Sequence, residues 1–155
     1  MKGHGRHFFF ISMSILLVAG AQLASGHVRV SPGESTAGAE QEYSARVPTE
    51  RDTATVRVEI EFPADVEVLE LIPKSGWTIE ADTNTEGRII GAVWSGGSIP
   101  PEEAQEFLFR ARNPAEATTL VWRASQVHED GSRAEWFGPS GSSTPAPMTT
   151  INPAP

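Results

Sequence analysis

The residue with the most chemistry open to it is His27, because of what precedes it. Lys2 and Arg6 give a basic start, Phe8 through Ala19 is apolar apart from Ser12 and Ser14, and Gly20 through Gly26 is dominated by small residues. That layout is expected of a secretory signal peptide over residues 1–26. Signal peptidase seats the side chains just ahead of its cut in shallow pockets, and Ala24 and Gly26 suit a cut before His27. Ala19 and Ala21 would permit a cut before Gln22, and Ala24 alone offers a third site. The apolar run of about a dozen residues is short of the roughly 20 that a membrane-spanning helix needs, which favours cleavage over an uncleaved anchor.

A chain that begins at His27 carries two nitrogen donors on one residue, the terminal amine and imidazole Nδ1, and together they close a compact chelate ring. The amine has an ordinary pKa of about 8, so a metal displaces its proton at modest cost near neutrality. Nitrogen donors in a plane favour Cu(II) among the first-row divalent ions. The soft donors that suit Cu(I) are scarce: cysteine is absent, and Met148 is the one methionine after residue 26. Any residue left ahead of His27 turns the amine into an amide and removes a donor. The plain alternative is a histidine that merely happens to begin the mature chain.

Other chemistries find little support. There is no phosphate-binding glycine loop, no HExxH and no nucleophile elbow. His128 is the other histidine after residue 26, and beside Glu129-Asp130-Gly131 it reads as a solvated residue next to a turn. Residues 1–26 hold two of the 12 Lys and Arg and none of the 20 Asp and Glu, so the rest carries 10 bases, 20 acids and a formal charge of −10. Nucleic acid and anionic lipid would be repelled. No second apolar stretch follows, so no transmembrane helix is expected in the mature chain.

The elements that must hold these residues are strands. Val56, Val58, Ile60 and Phe62 alternate with Arg57, Glu59 and Glu61 over Thr53–Phe62, the period of a half-buried strand. Val28–Ser31, Gln41–Val47, Val66–Ile72, Trp77–Asp82, Arg88–Trp94, Glu106–Arg112, Thr118–Glu129 and Ser132–Phe137 complete the set. Tyr43, Ala45 and Val47 should face inward, as should Phe107, Phe109 and Ala111, and Leu120, Trp122 and Ala124. Gly96-Gly97 with Pro100-Pro101 should break one strand, and Asp130-Gly131 should close a hairpin. Eight or nine short strands predict one all-β domain, an antiparallel β-sandwich of immunoglobulin-like type, over 27–138. The Ser/Thr/Pro-rich tail, 139–155, should add at most a short edge strand near 147–151.

The mature sequence resembles the YcnI-like domains, a family of exported bacterial copper-binding proteins with an immunoglobulin-like sandwich. The likeness rests on His27-Val28-Arg29-Val30-Ser31-Pro32, Arg46-Val47-Pro48-Thr49-Glu50-Arg51-Asp52, Lys74-Ser75-Gly76-Trp77, Val93-Trp94-Ser95-Gly96-Gly97 and Glu135-Trp136-Phe137-Gly138. Their order and spacing, from His27 to about Ile151, carry more weight than any one of them. The resemblance implies a single-histidine brace for Cu(II) at His27, an oxygen ligand from Glu50, and Trp136 lying against the metal. Thr49 stands where the family commonly has Asn. Without the resemblance, Glu50 reads as a charged loop residue and Trp136 as core, like Trp77, Trp94 and Trp122.

The function so implied is copper trafficking or storage outside the cytoplasm, secreted, extracellular or periplasmic, and not enzymatic. The copper would pass to a membrane importer or another carrier, and the protein would be a monomer or a metal-bridged dimer. Two rivals stand beside it. One is an oxidative copper enzyme of the polysaccharide monooxygenase type, with His128 as second histidine. The other is a copper-independent adhesion module.

Overall fold

Alternating apolar residues make strands here, and the computed structural model, which describes residues 26–155, contains no helix among them. The expected signal peptide, apart from its last residue, lies outside the described residues. In chain order the strands are β1 (Arg29–Ser31), β2 (Glu34–Thr36), β3 (Glu40–Pro48), β4 (Thr55–Glu61), β5 (Glu67–Leu71) and β6 (Thr78–Thr83). There follow β7 (Ile89–Ile99), β8 (Ala104–Arg112), β9 (Thr118–Val121), β10 (Arg123–His128), β11 (Arg133–Trp136) and β12 (Met148–Asn152). One sheet runs β1-β3-β8-β5, a second β11-β10-β4-β7-β6, and a small third β2-β12-β9. Every pairing is antiparallel except that of β12 with β2.

The two large sheets bury their facing sides against each other. Tyr43, Ala45 and Val47 of β3 and Phe107, Phe109 and Ala111 of β8 are all wholly buried, as their alternation predicts. Tyr43, Phe62, Phe109 and Trp122 form one aromatic cluster, with neighbouring ring centroids 4.9–5.6 Å apart for Phe62–Phe109, Tyr43–Trp122, Phe109–Trp122 and Tyr43–Phe109. Phe107 joins Trp77 and Trp94 in a second cluster. Aromatic pairs of this kind add about 0.5–1.5 kcal/mol each beyond their buried area. With no disulfide available, such packing carries the stability of the domain.

Three departures from the sequence pattern have local causes. The long strand expected over Thr118–Glu129 divides at Trp122, whose N–H donates to Pro147 O at 2.9 Å. Before that point the chain pairs with β12, and after it with β4 and β11, so one extended segment serves two sheets. Gly96 and Gly97 lie inside β7 rather than ending it. Thr55 pairs with Ile99 and Arg57 with Ser95, so β7 bulges there; Gly96 takes φ +80°, and a Cβ on Gly97 would strike the Trp77 ring. The strand expected near 147–151 is β12, which lies in the middle of its sheet, with Thr149 and Ile151 buried.

Candidate metal centre

His27 stands immediately before β1, at the margin of the first large sheet. The chain is anchored next to it: Val28 is 2% exposed, and Val30, also buried, sits opposite Ala45 of β3. Burying one such valine is worth about 1.5–3 kcal/mol. His27 itself is half-buried, so its ring is held at the surface by a residue fixed in the core.

Trp136 arrives from the other large sheet. It ends β11, pairs with Ala124 of β10 and is 3% exposed. Its indole centroid lies 5.6 Å from that of the His27 imidazole, with the planes tilted by 59°. The indole N–H donates to Gln126 Oε1 at 2.7 Å, which fixes the ring that faces His27.

Glu50 follows the end of β3 and is exposed, while the residues just before it are pinned. Thr49, 1% exposed, shares a hydrogen bond with Thr55 Oγ1 at 2.7 Å and donates from Oγ1 to Ile99 O at 3.0 Å. The Thr49 N–H donates to Glu103 O, and the Thr49 carbonyl accepts from the Glu102 N–H. A threonine thus fills this position with every polar group satisfied, and the exposed Glu50 side chain projects from a rigid base. A Cβ built on Gly26 would fall on the Glu50 carboxylate, so the residue before His27 occupies the space beside that carboxylate.

The three residues singled out from the sequence therefore converge. Glu50 and Trp136 line one cavity of about 140 Å³, together with Pro48, Arg51, Gln126 and His128. His27 lines a separate groove of about 350 Å³ with Ser31, Pro145, Ala146 and Met148, and its link to the first cavity is the 5.6 Å approach to Trp136. Among the described residues no group of three or more His, Cys, Asp or Glu side chains could hold a metal ion. Any metal bound at His27 and Glu50 must take further donors from elsewhere, and a freed main-chain amine is one such donor.

Two residues of this region were not given these places by the sequence reading. His128 is not solvated: it is 3% exposed, with Nδ1 and Thr55 Oγ1 3.4 Å apart. Burial pushes its pKa below the ordinary histidine value, and the Arg51 charge pushes the same way. Gln126, 2% exposed, is buried beside His128. The signal was present in the alternation of Leu120, Trp122 and Ala124, whose parity continues through Gln126 and His128.

Similarity to known proteins bears on the family and the fold. A family model described as "Domain of unknown function (DUF1775)" matches residues 27–155. Copper-binding protein CutI of Bacillus subtilis is 35% identical over 133 residues, which are 84% of this chain and 65% of that protein. The chain thus spans less than two thirds of the relative's length. A crystal structure from Nocardia farcinica, described as having an immunoglobulin-like fold, matches with a TM-score of 0.72 and 27% identity over 82% of this chain and 99% of that one. A cohesin module from Clostridium perfringens matches with a TM-score of 0.54 at 14% identity, covering 83% of this chain and 98% of that one, and shows the fold alone. The domain is an immunoglobulin-like β-sandwich.

Proposed function

The chain belongs to the YcnI-like family, the one matched by the DUF1775 model, and from that premise we propose that it is an exported copper-binding protein that holds Cu(II) at its mature N-terminus. Cleavage before His27 frees the amine, and the amine and imidazole Nδ1 chelate the ion. Glu50 supplies a carboxylate oxygen that offsets part of its charge. Trp136 would flank the ion held by His27, where an aromatic π face attracts a cation. Copper is cargo, carried or stored outside the cytoplasm and passed to a membrane importer or another carrier.

The observation that carries this reading is the convergence at the N-terminus. Gly26 lies against the Glu50 carboxylate and the His27 ring lies 5.6 Å from Trp136. Cutting between Gly26 and His27 exposes an amine beside a carboxylate and an indole, three groups suited to one small cation. The copper-binding name of the Bacillus relative supports the choice of metal. An oxidative site with two histidines is less well supported, since His128 is buried beside Thr55.

Two proteins test it, one beginning at His27 and one at Gly26. Electron paramagnetic resonance with Cu(II) should show nitrogen-rich coordination only in the first. Equal spectra and equal affinity in the two would overturn the brace.

A further inference from the structure

A buried carboxamide costs free energy unless both of its ends are used. Gln126 in β10 uses both. Its Oε1 accepts from Trp136 Nε1 at 2.7 Å, and its Nε2 donates to Pro48 O at 2.8 Å and to Thr55 Oγ1 at 3.0 Å. The orientation is forced by its partners. An indole N–H can only donate and a prolyl carbonyl can only accept, so a flipped amide would set like against like at both ends.

The partners belong to different parts of the site. Trp136 lies in β11 and faces His27, whereas Pro48 ends β3 two residues before Glu50. Thr55, the third partner, also bonds Thr49, the residue between Pro48 and Glu50. A single side chain therefore spans the gap between the two large sheets and ties the indole to the segment that presents the carboxylate. Both amide hydrogens are engaged, so Gln126 has no donor left for anything else.

We propose that Gln126 is a positioning residue of the metal site, which fixes the placement of Trp136 relative to the Pro48–Glu50 segment without touching the ion. The inference rests on the Cu(II) reading above. Metal sites depend on such outer partners because a ligand that wanders spends less time at bonding distance, and losing one typically weakens binding about 10–100-fold.

The test uses protein beginning at His27, as wild type and as Gln126→Met, which keeps the volume and removes every hydrogen bond. In the metal-free variant the Trp136 indole N–H should shift in the proton–nitrogen spectrum and exchange faster with water. With Cu(II), affinity should fall about tenfold and the paramagnetic resonance signal should split or broaden into several geometries. If Gln126→Met does not fold, Gln126→Glu takes the same measurements, since it keeps an acceptor for Trp136 but cannot supply both amide donors. A folded variant with wild-type affinity and a wild-type spectrum would overturn the positioning role while leaving the brace intact. Identical spectra from wild-type proteins starting at His27 and at Gly26 would instead remove the brace, and the positioning role with it.

Discussion

The imidazole of His27 and the indole of Trp136 lie 5.6 Å apart although one precedes the first strand of one sheet and the other ends an edge strand of the opposite sheet. His27, the proposed mature N-terminus, thus lies where the two large sheets meet. A cation held by His27 would have the tryptophan as a neighbour, and the tryptophan is itself immobilised from behind.

Trp136→Phe should alter the electronic spectrum of the Cu(II) protein more than its affinity, because an aromatic face remains but the indole does not. It should also lower stability by about 1–3 kcal/mol, since Gln126 Oε1 loses its donor while buried. Absorption spectra and urea unfolding measure the two effects. An unchanged spectrum would reduce Trp136 to packing.

Glu50→Ala should leave stability within about 0.5 kcal/mol of wild type, since the side chain is exposed. Copper affinity should nevertheless drop roughly tenfold through loss of a charged oxygen donor. His128→Ala, by contrast, should spare the affinity and cost stability. Competition titration with a Cu(II) chelator separates the two, and the reverse pattern would favour a two-histidine site.

Acid should destabilise the domain in two windows. The buried His128 resists protonation when folded, with Arg51 adding to the effect of burial. Below the ordinary histidine value of about 6.5 the unfolded chain therefore binds more protons, and stability falls as pH drops toward the folded pKa. Above about 6.5 this contribution is fully present. The second window lies lower: Glu59 is held below its ordinary value despite burial because Arg57 and Arg133 bond its carboxylate, so its contribution disappears as that carboxylate protonates. Melting temperature against pH should fall from 7 to 5 for wild type and fall less for His128→Gln. Parallel curves would exclude His128 as the cause.

Thr149→Val should destabilise by about 1–3 kcal/mol, though the two side chains have nearly the same shape. Thr149 Oγ1 accepts from Trp122 Nε1 at 3.0 Å and donates to Pro32 O at 3.1 Å. The valine leaves a wholly buried indole N–H without a partner at the point where the chain changes sheets. Urea unfolding measures the loss, and a neutral result would mean that water reaches the indole.

The strands were legible because one face of each meets the core. Phe107, Phe109 and Ala111 declare their burial by alternation alone, and so do Tyr43, Ala45 and Val47. Sheet exchange at Trp122 was not legible, because an extended chain looks the same whichever neighbour it pairs with. Gly96-Gly97 misled for a related reason: glycines that admit a bulge and the Trp77 ring have the composition of a strand break. For the site, His27 stood out by its place behind an apparent leader, and Glu50 and Trp136 came from family resemblance. Gln126 and His128 were hidden because a polar residue on a late strand reads as solvated unless its parity is followed to the end. The hydrogen bonds that make the burial of Gln126 tolerable reach residues 71 and 78 positions away in the chain, beyond the reach of local pattern.

The buried Val28 separates correct folding from correct maturation. The pairing of Val30 with Ala45 sets the register of β1, and a shift by one residue would turn Val28 and Val30 out of the core. A chain cut one residue early cannot slide to compensate. It would fold with the same sheets, the same melting behaviour and the same resistance to proteases, yet present an amide where the proposed site needs an amine. Quality control that monitors only foldedness would pass such molecules, so the working fraction of a preparation would be set by the accuracy of a peptidase and be invisible to every assay except one for the metal.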